Sequence, residues 1–143
     1  MRGPNEVAIF VVRRGRSEVL VVHRSPELGG YWHTIAGAVE TGESMEEAAR
    51  RELHEETGLI AGVQATSDFH YPLAEETPER QSLYEPGLTD IHVHCFVTDA
   101  PDDWEPTLDH EHVEYRWATA ADAPDALFFP DIAAALRRAL SLT

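Results

Sequence analysis

Two unbroken apolar runs open the chain. Residues 7–12 and 19–22 hold no polar position and are rich in valine and isoleucine, the composition of strands buried on both faces. The polar stretch 13–18, with Gly15 in it, turns the chain between them. A loop at 25–30 leads into a short apolar segment at 31–35. Further on the pattern becomes alternation. Ile91, Val93, Cys95 and Val97 are interleaved with His92, His94 and Phe96, and Val113, Tyr115 and Trp117 recur at the same spacing, so both stretches predict half-buried strands.

Two segments carry helical spacing instead. Ser44 opens the first, where its side chain can cap the first turn while Glu47 reaches back in a capping box, and Gly58 supplies a left-handed stop. The second starts at Asp131 and places Ile132, Ala135, Leu136, Ala139 and Leu140 on one face. Strands mixed with helices, one of them closing the chain, predict an α/β sandwich. No repeat, low-complexity tract or linker divides it, so positions 1–143 read as a single domain.

The first helix carries the candidate chemistry. On a projection of about 100° per residue, Ala48, Ala49 and Leu53 form the apolar stripe that faces the sheet. Glu52 and Glu56 fall inside that stripe and Glu55 at its edge, whereas Glu46, Glu47, Arg50 and His54 point away. Glu52, Glu55 and Glu56 stand at i, i+3 and i+4 and are therefore neighbours. A solvated helix face explains Glu46 and Glu47. It does not explain three clustered anions on a partly buried face, which repel one another and lose hydration. Arg51 can balance one charge, and hard divalent cations, which take oxygen ligands, can balance the rest.

The charge balance narrows the partners. A formal net charge of −15 repels nucleic-acid polymers and anionic membrane surfaces, yet it admits a small phosphorylated partner when cations stand between carboxylates and phosphates. Cys95 is the only cysteine, which rules out an internal disulfide and suits a reducing cytoplasm. The run at 7–12, followed by Arg13 and Arg14, is too short for a signal-peptide core or a bilayer span. Oligomeric state is not encoded in any readable pattern, and a homodimer is open. His92, His94, Cys95, His110 and His112 invite a zinc reading, but no spacing among them matches a structural zinc site and histidines on a strand's solvent or pocket face are common.

From Gly37 the sequence runs through five residues to Glu43, then seven residues to Arg51-Glu52-Leu53-His54-Glu55-Glu56-Thr57-Gly58-Leu59. This resembles the Nudix box, G-x5-E-x7-R-E-U-x-E-E-x-G-U with U aliphatic, and all nine specified positions match. The resemblance implies a Nudix-type α/β/α sandwich with a mixed central sheet, and a hydrolase that cleaves a nucleoside diphosphate linked to another moiety. It implies Mg²⁺ or Mn²⁺ held by Glu52, Glu55 and Glu56, with Glu43 as a supporting acid and Arg51 as an orienting partner. The Gly37 carbonyl is a further candidate ligand, since glycine lets the backbone approach closely. The stretch from Trp32 to Glu40, the loop Tyr84–Thr89 and Glu111-His112 with Trp117 are similar to the bacterial dihydroneopterin triphosphate pyrophosphatase subgroup, in which Glu111 matches an acid reaching the metal from outside the box. Ala36 and Ala38 depart from the common Pro-Gly-Gly opening of the box. Trp32 and Tyr84, in polar loop contexts, are the candidates for stacking on a ring, and Arg24 joins them as a substrate-binding residue. The box is shared by enzymes of other (d)NTPs, dinucleoside polyphosphates and ADP-ribose. A rival of a different class is a nucleotide-sensing module without turnover, which would gain nothing from a complete water-activating centre.

Overall fold

The computed structural model describes residues 1–141, so the last two positions of the domain read from the sequence lie outside the described residues. The chain runs β1 (Asn5–Arg13), β2 (Glu18–Arg24), β3 (Trp32–His33), β4 (Ile35–Ala38), α1 (Met45–Thr57), β5 (Gln64–Pro72), α2 (Pro78–Gln81), β6 (Asp90–Asp99), β7 (His112–Thr119), α3 (Ala123–Ala126) and α4 (Pro130–Ser141). The strands form one mixed sheet. β6 lies parallel to β1, and the other pairings are antiparallel. β4 takes the first half of β1, Glu6 to Ile9, while β2 pairs with its end at Val12 and Arg13.

The apolar run of β1 is buried on both faces because a helix covers each. Ala8, Phe10 and Val12 pack in the layer that holds Ile132, Ala135, Leu136 and Ala139 of α4. Val7, Ile9 and Val11 pack in the layer that holds Ala48, Ala49 and Leu53 of α1. The period of two along one strand thus feeds two cores, which is the α/β/α sandwich. No helix among the described residues is long and apolar enough to cross a membrane.

α1 begins and ends on local chemistry. Ser44 Oγ accepts from the Glu47 N–H at 3.1 Å, and Glu47 Oε1 accepts from the Ser44 N–H at 2.9 Å. Gly58, at φ 82°, closes the helix by donating its N–H to the His54 carbonyl at 2.9 Å. Two alternation readings need adjustment. In β6 the alternation holds from Ile91 to Cys95, but Phe96 and Thr98 are also buried, because Phe96 enters the α1 layer. In β7, Val113 is 55% exposed because it is the extra residue at the bulge opposite His23 and Arg24; His112 before it is buried, and Tyr115 and Trp117 resume the inward face. The strand β5 is found only in the structure; its first half carries no large apolar residue, and only Phe69 and Tyr71 near its end alternate inward against the core.

Candidate active site

Packing of Ala48, Ala49 and Leu53 brings Glu52 over Gly37 of β4. A Cβ at Gly37 would stand 2.1 Å from Glu52 Cδ and 2.2 Å from its Oε1, so the absence of a side chain is what lets this carboxylate reach the strand. One turn later Glu56 is 2% exposed, and neither of its oxygens has a hydrogen-bond partner. Burial raises its carboxyl well above the ordinary value, and the carboxylates of Glu52, Asp109 and Glu111 add to the rise. His112, held through Nδ1 by Asp109 at 2.9 Å, brings Nε2 to 3.7 Å from Glu56 Oε1, beyond hydrogen-bond reach, and that nitrogen is also unpartnered. A buried carboxylate ringed by other carboxylates is costly without a cation. The all-oxygen donor set suits a hard divalent ion. Glu55, at the edge of the stripe, is the most open of the three glutamates, its side chain 55% exposed.

Arg51 does more than balance one charge. It donates from Nε and Nη2 to both oxygens of Glu43 at 2.7 and 3.0 Å, a bidentate pair. Its Nη1 reaches Glu52 at 2.8 Å and Glu55 at 3.2 Å, and Nη2 also reaches the Ala38 carbonyl at 2.9 Å. One guanidinium therefore ties the loop before α1, the end of β4 and two box glutamates into a single arrangement. The Arg51 hydrogen bonds hold the Glu43 carboxyl below its ordinary value of 4.5. The folded protein thus binds this proton less tightly than the unfolded chain does. The pair stabilises at pH above the unfolded value, and that contribution is lost as pH falls through the lowered folded value. Glu43→Gln is expected to lower Tm at neutral pH, with the difference from wild type shrinking only as pH falls through the lowered folded value and Glu43 itself becomes uncharged. Thermal unfolding of the two proteins across that range checks it.

A cavity of about 510 Å³ starts at this carboxylate end, where Gly37, Glu52 and Glu111 line it. That volume falls within the range of small-molecule sites. Glu111 reaches it from the loop before β7, which is tied to the end of β2 by the Ser25 N–H on the Glu111 carbonyl at 2.9 Å. The wall also carries the cations Arg2, Arg24 and Arg80 and the rings of Tyr31, Phe69, Tyr71 and Phe129. Arg24 Nε is buried without a hydrogen-bond partner. It lies at the register shift between His23 and Arg24 in the β2–β7 pairing, and such a bulge re-aims a side chain.

The two aromatic candidates stand elsewhere. Trp32 does not line the cavity; it stacks on His23 with centroids 4.7 Å apart and lies under the Arg116 guanidinium at 4.5 Å. Its neighbours Tyr31 and His33 line the cavity instead, as alternation along an extended chain requires. Burial, with Arg24 nearby, pushes the His33 imidazole down to about 3, so it is neutral, and its Nδ1 is unpartnered. Tyr84 is 2% exposed and belongs to the core. Its hydroxyl donates to Glu6 at 2.5 Å from behind the wall, beside Tyr71, which donates to the same carboxylate at 3.0 Å. The sequence reading missed Tyr31 and His33, which the two-residue period around Trp32 could have offered. It also missed Glu6, for which no local signal exists, and Phe69 and Tyr71, whose alternation around His70 was the available signal.

Fold and site define a class: α/β/α proteins in which one capped helix gathers carboxylates beside a substrate-sized cavity. A model of the NUDIX domain matches residues 3–139, and the chain belongs to the Nudix family. Dihydroneopterin triphosphate diphosphatase of Haemophilus influenzae is 25% identical over 137 residues, covering 94% of this chain and 85% of that protein. An octanoyltransferase of Myxococcus xanthus is 34% identical over 134 residues; the match takes in 93% of this chain but only 35% of that relative's length. The structure of the E. coli dihydroneopterin triphosphate pyrophosphohydrolase matches with a TM-score of 0.81 at 20% identity, over 94% of this chain and 93% of that one, a likeness of fold.

Proposed function

We propose that this protein is a Mg²⁺- or Mn²⁺-dependent pyrophosphohydrolase of small phosphorylated molecules, and that it converts dihydroneopterin triphosphate to the monophosphate and pyrophosphate. The observation that carries the hydrolase reading is Glu56, a buried carboxylate with no hydrogen-bond partner, close to the carboxylates of Glu52, Asp109 and Glu111, of which Glu52 and Glu111 line the cavity. Glu52, Glu55 and Glu56, with Glu111 and the Gly37 carbonyl, would hold the cations. When bound, those ions neutralise the diphosphate and lower the pKa of a water. Arg51, anchored on Glu43, orients Glu52 and Glu55, and a carboxylate of the set accepts the proton of the attacking water. Arg24 and the other cations of the wall meet phosphate oxygens. The reading places the enzyme in the cytoplasm, where the Cys95 thiol, buried and pushed up to about 12, is inert.

The substrate reading draws on two features. Four aromatic rings in the wall suit a planar bicycle. The Haemophilus relative bears the same substrate in its name. A pocket built for hydrogen bonds rejects analogues lacking them more strongly than it rejects small apolar changes. We expect kcat/KM for dihydroneopterin triphosphate to exceed that for ordinary dNTPs by at least about tenfold, a difference of about 1.4 kcal/mol in transition-state binding. Side-by-side kinetics with dNTPs, a dinucleoside polyphosphate and ADP-ribose in Mg²⁺ decides. A better rate on any of the others removes the substrate assignment and leaves the hydrolase.

A further inference from the structure

The α1-facing side of the sheet gathers a second set of metal-type donors, two strands over from Gly37. His92 and His94 alternate on β6 and so share a face. β5 pairs with β6 in a register that sets Asp68 opposite His94 and His70 opposite His92. One ligand atom from each of Asp68, His92 and His94 falls in a group whose members all lie within 4.8 Å of one another. Asp68 Oδ2 stands 2.5 Å from His92 Nε2. The rings form a column, His92 lying 3.9 Å from His94 and 4.0 Å from His70 between centroids. Their neutral form is the one that offers a lone pair to a metal.

The outer contacts are those of a ligand set. His94 Nε2 donates to Asn5 Oδ1 at 3.0 Å, which fixes the tautomer and leaves Nδ1 as the lone-pair nitrogen. Burial, together with neighbouring His92, holds the His94 imidazole below its ordinary value. A surface ion pair between Asp68 and His92 accounts for the shortest contact alone. It does not account for the second histidine on the same spot, oriented by a buttressing amide.

We propose that Asp68, His92 and His94 form a binding site for a cation of the Zn²⁺ class, distinct from the carboxylate centre on α1. Two imidazole nitrogens and one carboxylate oxygen favour Zn²⁺, Co²⁺ or Ni²⁺ over the hard ions that the all-oxygen set suits. Tetrahedral bonds of about 2.0–2.1 Å put ligand atoms about 3.3 Å apart. The Asp68–His92 pair must therefore open slightly. Asp68, with a side chain 59% exposed, and His92, at 27%, have room for that movement. Three protein ligands leave one position for water. The bound ion joins β5, which pairs only with β6 at the edge of the sheet, to its neighbour, so it stabilises the folded chain.

The test uses the full chain carrying Glu56→Gln, which weakens the carboxylate centre, in excess Mg²⁺. Calorimetric titration is expected to show one Zn²⁺ per chain and thermal unfolding a Tm that rises with Zn²⁺. Adding His92→Ala and His94→Ala should weaken binding by more than about 100-fold and abolish the rise, and Asn5→Ala should weaken it by about tenfold. Asp68→Asn, on an exposed position of the edge strand, repeats the loss of affinity while leaving both histidines in place. No Zn²⁺ bound to the Glu56→Gln chain, or equal affinity after the histidines or Asp68 are changed, overturns the site.

Discussion

Glu56→Gln is expected to lower kcat by about 10²–10⁴-fold, the range a positioned acid–base or charge-bearing group contributes. The substitution keeps the shape of the side chain and removes the charge. Glu56 is 2% exposed and unpartnered in the folded chain, so its carboxylate contributes no internal hydrogen bond that glutamine would break. Burial already penalises the anion in the metal-free protein, and the neighbouring carboxylates penalise it further. Metal-free stability is therefore expected to stay the same or rise while activity collapses, a pattern that a merely structural glutamate does not produce. Unfolding in chelator alongside steady-state kinetics in Mg²⁺ gives both halves. A variant that lost stability and activity together would point to packing instead.

Gly37→Ala is expected to cost about 10²-fold in kcat/KM with little loss of fold. The added methyl would meet the Glu52 carboxylate at about 2 Å, and a carboxylate is the movable end of its side chain, so the chain can yield there. What it cannot keep is the position of Glu52 over β4 or its bond to Arg51 Nη1 at 2.8 Å. A displacement of about 1 Å in a positioning group is enough for a loss of that size. Glu52→Gln in the Gly37→Ala background should add less than it does in wild type, because both changes act on one group.

What the sequence could show was whatever is decided locally. The limits of α1 follow from Ser44, Glu47 and Gly58, each acting within four residues, and the burial of Glu56 follows from its place on the Ala48–Ala49–Leu53 stripe. β1 was legible because both its faces are covered, leaving an unbroken apolar run. β5 was not, because it is an edge strand paired only with β6, and its first half, Gln64 to Asp68, holds no large apolar residue, leaving the Phe69–Tyr71 pair too short a pattern to mark a strand. The cavity wall depends on relations of the same distant kind. Trp32 and Tyr31 are adjacent and chemically similar, and only strand direction decides that Tyr31 faces the cavity. Tyr84 sits in a turn-rich stretch that reads as open loop, yet its ring belongs to the core and its hydroxyl is spent on Glu6. Asp68 and His70, the partners of the histidine column, lie on the strand the sequence concealed, and spacing along β6 alone shows half of that set.

The hydrolase account stands most directly on pyrophosphate release by chelator-treated wild type, followed before and after Mg²⁺ or Mn²⁺ is returned, with Glu56→Gln in parallel on the best substrate of the panel. Release is predicted to be absent in chelator, restored in wild type by either ion, and restored in Glu56→Gln only to the reduced rate given above. Release that continues undiminished in chelator, or full activity in Glu56→Gln, would contradict it.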